Sequence, residues 1–224
     1  MNDASPDETT IRRVRELVSH DLKNPISAAW TTTAFMSEMA DSADDLMQRN
    51  LATIRSALTR ALEWIDDFGL TIQLETGELL PSKSEGDAET LANRVLEGLP
   101  EPLADRIRLS GWDGRVLADP ELLQRSLRSL LVYADERGAA QEEIALGLTR
   151  DREEIQVVCR DRGRPIPGTW LQGGLPSLAQ PIQATAPKPP LALLLCDAVA
   201  RGHGGVLRMA HEDGENRVSM TLSV

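Results

Sequence analysis

From Ile11 to Met36, apolar or small residues return every three or four positions: Ile11, Val14, Val18, Leu22, Ile26, Ala29, Thr33 and Met36. After a short break, Leu46, Leu51, Ile54, Leu58, Leu62, Ile65 and Ile72 repeat the spacing. That period belongs to an α-helix with one apolar face. Ser5-Pro6-Asp7-Glu8 supplies a start, with a hydroxyl cap, a proline at the first helical position and Glu three residues after the cap. Ser42 with Asp45 offers a second start. The pattern predicts two antiparallel helices, each roughly 50 Å long at 1.5 Å per residue, the second ending near Gly77. A lone hairpin of that length cannot cover its own stripe, so pairing with a second copy into a four-helix bundle is expected. Trp30, Met36, Met39 and Trp64 read as bundle core. Pro25 removes one backbone hydrogen bond and is expected to bend the first helix just past His20.

From Gly77 to Asp87 the composition shifts to Gly, Pro, Ser and charge, which divides the chain into domains 1–77 and 78–224. Beyond the break, residues 88–99 carry a helical stripe, and 106–109 and 115–118 read as short strands. Asp119-Pro120-Glu121 caps a helix through Tyr133. Strands are predicted at 144–148 and 155–159, around a turn at 150–153. A Pro, Gly and Gln stretch, 164–190, leads into an apolar helix at 191–201 that Gly204-Gly205 ends. Strands at 206–209 and 218–224 flank a turn at 212–216. The expected class is α+β, a long helical hairpin followed by a mixed sheet with helices on one face.

Several functions are excluded by charge and composition. With 35 acidic against 24 basic residues the net charge is -11, a field that repels nucleic acid and anionic lipid. The longest apolar run, 191–196, is far short of the roughly 18 residues of a membrane span, and the acidic N-terminus is no signal peptide, so the chain is expected in the cytoplasm. Cys159 and Cys196 lie in apolar segments and read as buried free thiols. His203 and His211 have no carboxylate or thiolate company, so no metal site is expected there.

Chemistry concentrates in Ser19-His20-Asp21-Leu22-Lys23-Asn24-Pro25. Imidazole is a nucleophile near neutral pH, a neighbouring carboxylate can hold its proton, and a phosphoryl group placed on it is labile enough to move on. Asn24, four residues after His20, falls on the same helix face. The string SHDLKNP resembles the phosphoacceptor box of bacterial sensor histidine kinases. The resemblance continues through the second half, which resembles that family's ATP-binding α/β sandwich domain. ADPELLQRSLRSLLVYA (118–134) falls on the helix of the Mg-binding asparagine, DRGRPIP (161–167) on the first glycine box, and KPPLALLLCDAVARGHGG (188–205) on the second.

The departures from the family pattern carry the functional expectation. The family's Mg-chelating Asn falls on Tyr133 and an accompanying Asn on Ser129, neither of which replaces an amide oxygen on Mg²⁺. Asp161, which the resemblance assigns to the adenine amino group, and Gly163 remain, but the next glycine is Pro165. The phosphate-cradling glycine loop reads Lys188-Pro189-Pro190-Leu191-Ala192, and proline has no N–H to give a phosphate. Lys188 reads as a solvated charge. Losing two phosphate donors and a metal ligand removes on the order of 5 to 8 kcal/mol, roughly four to six decades of affinity.

An intact phosphoacceptor box beside a degenerate ATP site (Tyr133, Asp161, Gly163, Pro190) resembles the kinase-derived histidine phosphotransferases of bacterial phosphorelays rather than the monomeric four-helix phosphotransfer domains. The resemblance implies a homodimer that shuttles phosphoryl groups between response-regulator receiver domains through His20, with Asp21 orienting the ring and Asn24 positioning phosphoryl or water. The receiver would bring its own Mg²⁺, so no cofactor is expected on this chain. Receiver docking is expected along Ser27, Thr31 and Ala34, small side chains one turn apart. Two other readings stay open: a divergent ATP-dependent kinase or receiver phosphatase, and a non-catalytic dimeric adaptor. With no sensor segment ahead of Ser5, a relay or adaptor is expected rather than a receptor.

Overall fold

The computed structural model describes residues 18, 22–39, 45–138, 142–176 and 189–223, which fall into two compact units, residues 1–72 and 73–224. The first unit contains α1 (Lys23–Met39) and most of α2 (Asp45–Glu75). Pro25 lies just past Leu22, which is in a π-helical turn, and the residues just before Leu22 lie outside the described residues. Side-chain contacts fix the antiparallel pairing. Lys23 Nζ meets Asp66 Oδ1 at 2.6 Å, Trp30 Nε1 donates to Thr59 Oγ1 at 3.0 Å, and Gln48 Nε2 donates to the Ser37 carbonyl at 3.2 Å. The Arg55 guanidinium covers the Trp30 ring, 5.6 Å from its centre. Thr33 and Leu51 are buried in this unit. Within one chain much of the expected bundle core is uncovered: Met36 is 48% exposed, Met39 71% and Trp64 62%.

The second unit begins inside the last turn of α2, before the compositional break at Gly77. Its elements are β1 (Ser84–Asp87), α3 (Ala88–Glu97), α4 (Glu101–Ala104), β2 (Ile107–Ser110), β3 (Arg115–Ala118), α5 (Pro120–Arg137), β4 (Ile144–Arg150), β5 (Glu154–Asp161), α6 (Gly168–Gly173), α7 (Leu191–Gly202), β6 (Val206–Glu212) and β7 (Glu215–Ser223). β1 and β3 form a small antiparallel pair, while the main sheet runs β2-β4-β5-β7-β6 with only the β2–β4 pair parallel. Period-two alternation sets its buried face. Leu146 and Leu148 align through the register with Cys159 and Val157, and these with Val218 and Met220, against Leu123, Leu127, Leu130 and Leu131 of α5 and Leu195 and Val199 of α7. Each such side chain contributes about 1.5 to 3 kcal/mol on burial. This is a mixed α+β fold of helical hairpin and helix-covered sheet.

Local chemistry places the elements. Asp119 caps α5, its Oδ1 accepting from the N–H groups of Glu121 and Leu122, both at 3.1 Å, and its Oδ2 from Ser82 N–H at 2.8 Å. The Asp119 N–H donates to His203 Nε2 at 3.0 Å, while His203 Nδ1 donates to the Val199 carbonyl at 2.8 Å. His203 is thus a buried, neutral pin between the end of α7 and the start of α5. Asp213 and Gly214, with φ of 51° and 78°, make the two-residue turn between β6 and β7. Cys159 and Cys196 are buried; the Cys196 thiol donates to the Ser126 carbonyl at 3.4 Å, and burial pushes the Cys159 thiol up to about 12. No described helix is long and apolar enough to cross a membrane, and the described residues hold no cluster of metal-ligating side chains.

Candidate functional site

Of the proposed phosphoacceptor residues, His20 and Asp21 lie outside the described residues; Asn24 is exposed in the first turn of α1. Along the same helix Thr31 is exposed, whereas Ser27 and Ala34 are half-buried, so the expected small-residue surface is presented mainly by Thr31. The hydroxyls of Thr31, Thr32 and Thr33 donate to the carbonyls of Ser27, Ala28 and Ala29 at 2.9, 2.9 and 2.7 Å. Such back-bonding keeps β-branched residues compatible with the helix while spending their donors internally.

In the second unit the structure brings Tyr133, Asp161 and Gly163 together and adds Arg137 and Asn216. Asp161 closes β5 as a strand-end residue, but it has partners on every side. Arg137 Nη2 donates to Oδ2 at 2.5 Å; Gly163 N–H and Asn216 Nδ2 each donate to Oδ1 at 2.9 Å. The carboxylate is 3% exposed and the guanidinium side chain 8%. Arg137 Nη1 donates to the Arg164 carbonyl at 3.2 Å, and its Cζ lies 4.4 Å from the centre of the Tyr133 ring. Tyr133 is itself buried, and that burial raises its hydroxyl above the usual value, the Arg137 charge opposing. Gly163 is required here, because a Cβ would come within 2.7 Å of the Arg137 carbonyl carbon. The space left beside Asp161, lined by Ala134, Gly138, Ile144 and Gly163, is about 10 Å³, room for roughly one water.

Asn216 ties this cluster to its loop. Beyond Asp161, its Nδ2 donates to the carbonyls of Gly163 and Arg164 at 3.1 and 3.2 Å, and its Oδ1 accepts from Ile166 N–H at 3.0 Å and His211 Nδ1 at 2.9 Å. Pro165 is exposed on the loop that follows. Pro190 begins α7 with its carbonyl, which accepts from Leu193 and Leu194, and no side chain caps the helix. Lys188 lies outside the described residues. Sequence reading passed over Arg137 and Asn216. One signal for Arg137 was present: it follows Tyr133 by four residues, on the same face of α5.

No protein-family model matches the sequence. The sensor histidine kinase YcbM of Bacillus subtilis is 24% identical over 175 residues, which cover 74% of this chain and 55% of YcbM. The chain therefore spans about half the length of that relative. The Acinetobacter baumannii histidine kinase AdeS superposes with a TM-score of 0.61 at 15% identity, over 91% of this chain and 97% of the AdeS chain. The catalytic domain of histidine kinase ThkA superposes with a TM-score of 0.52 at 18% identity, over 63% of this chain and 97% of that domain. At these identities the structural likeness is one of fold: the second unit has the fold of a histidine kinase ATP-binding domain. The chain is thus similar in sequence to a sensor histidine kinase and similar in fold to histidine kinases.

Proposed function

We propose that this chain is a dimeric cytoplasmic histidine phosphotransferase, carrying phosphoryl groups on His20 between response-regulator receiver domains without using ATP. One observation carries this reading. The carboxylate that the family resemblance assigns to the adenine amino group is sealed by Arg137, stacked on the Tyr133 that stands where a metal-binding amide belongs. Pro165, Pro189 and Pro190 support it by removing phosphate donors. In this reading His20 attacks the phosphorus of a receiver's aspartyl phosphate; the P–O bond to Asp breaks, and the same step in reverse loads the next receiver. Asp21 orients the imidazole and manages its proton, and Asn24 positions phosphoryl or water. Mg²⁺ comes with the receiver, and the uncovered side chains Phe35, Met36, Met39, Ile54 and Trp64 support the pairing of two hairpins.

The test is transfer from labelled receivers, run beside Mg-ATP. We expect His20 to take label from a phosphorylated receiver, His20→Gln to abolish transfer, and Asp21→Asn to slow it by about 10²- to 10⁴-fold. No label should enter from ATP. The second reading, a divergent ATP-dependent kinase, draws on the kinase homologues and the retained fold. Autophosphorylation from ATP, or Mg-ATP binding tighter than roughly 100 μM by calorimetry, would establish it instead.

A further inference from the structure

The guanidinium of Arg137 is held entirely by the nitrogens at its tip. Nη2 reaches the Asp161 carboxylate and Nη1 the Arg164 carbonyl, while the Tyr133 ring faces its Cζ. Nε, through which the stem is attached, is buried and has no hydrogen-bond partner among the described residues. A free alkylguanidinium carries the same tip, so a detached cation could reproduce every polar contact this side chain makes. The stem acts as a tether: it holds the group nearby and adds no hydrogen bond. The surroundings suit a planar cation, with a buried carboxylate that needs a counter-charge, an aromatic face, and the C-terminal end of α5.

We propose that Arg137 is an internal ligand. The place its guanidinium fills, between the Asp161 carboxylate, the Arg164 carbonyl and the Tyr133 ring, is a binding site for planar guanidinium- and amidinium-class cations, which the chain keeps occupied with its own side chain. This deepens, and rests on, the reading of the second unit as one that takes no ATP. An external ligand is excluded by a tethered competitor at high effective concentration, and the fold gains from its own residue the neutralisation a bound cation would bring.

The experiment is thermal unfolding of the full chain as Arg137→Ala, titrated with ethylguanidinium chloride in the millimolar range. We expect the variant to melt below the wild type and to recover saturably, by about 3 to 6 °C at tenfold excess over the dissociation constant. The wild type, whose site is full, and Arg137→Ala/Asp161→Asn, which lacks the anchoring charge, should show no rise. Ethylammonium, with the same charge and no planar fork, should not substitute. Recovery absent in Arg137→Ala, or equal in the double variant or with ethylammonium, overturns the proposal. Should Arg137→Ala not fold, its refolding from urea with and without ethylguanidinium, read by Trp112 and Trp170 fluorescence, gives the same decision. Arg137→Lys provides an independent arm, since it keeps the charge and loses the fork; stability equal to the wild type would also overturn the proposal. Titration of the wild type with Mg-ATP tests the underlying reading separately, because it involves neither the variants nor the free cation.

Discussion

Replacing Asn216 by Ala tests whether the polar cluster holds the second unit together. Asn216 is fully buried, and its amide touches Asp161, the 163–164 backbone, Ile166 and His211 at once. Truncation removes a hydrogen bond to a charged acceptor, about 1.5 to 3 kcal/mol, and strands the N–H of buried Ile166, about 1 to 3 kcal/mol. We expect a loss of about 3 to 5 kcal/mol, which at a slope near 2 kcal/mol per molar urea lowers the unfolding midpoint by about 2 M. Trp112 and Trp170, both buried in the second unit, report the transition by fluorescence. Asn216→Asp is the control: it keeps an acceptor for Ile166 but turns an oxygen toward Asp161, so it should be as damaging at neutral pH and partly relieved in acid. A midpoint shift below about 0.5 M in Asn216→Ala would refute the reasoning.

Three further outcomes follow from other parts of the molecule. Burial holds the His203 pKa below its usual 6.5, against the opposing Val199 hydrogen bond, so protons bind the unfolded chain first. Stability should be level above about pH 6.5 and fall as pH drops toward the lowered folded value; melting of wild type and His203→Gln from pH 8 to 5 checks this, equal slopes counting against it. Ile54→Glu should halve the mass seen by light scattering at micromolar concentration, because Ile54 is 48% exposed in the single chain and its charge would be buried on pairing; an unchanged dimer mass would place the interface elsewhere. Thr31→Arg should block receiver transfer with the dimer intact, and unchanged transfer kinetics would remove Thr31 from the docking surface.

Much of the second unit was legible because its signals are local. The Asp119-Pro120 cap, the alternation in β4 and the Asp-Gly turn each specify their own element, and β3 runs over the predicted 115–118. Extents were less legible. β6, β7 and α5 run beyond the predicted residues; the ends of β7 and α5 carry polar groups, Asn216 and Arg137, whose partners lie far off in sequence. β1 reads as a solvated loop, Ser-Glu-Gly-Asp, and becomes a strand by pairing with β3. At the site, the chain's own residues revealed the missing amide at Tyr133 and the prolines, but not what fills the place beside Asp161. That took the fold, which brings a helix end and a strand end together across 24 residues.

Asn216 has a consequence for how the sheet assembles. It stands opposite Asp161 on one neighbouring strand and His211 on the other, so one side chain links positions on three strands, two of them 55 residues apart in sequence. Apolar side chains tolerate exchange, and Val218, Met220 and Leu222 could fill much the same space in a shifted alignment. The amide could not. A two-residue slip of β7 would keep that apolar row on its own face but carry Asn216 past Asp161, leaving the buried carboxylate without this donor. The polar row therefore works as an alignment key: greasy contacts draw the strands together, and a single misfit penalty rejects the wrong pairing before the core can close around it.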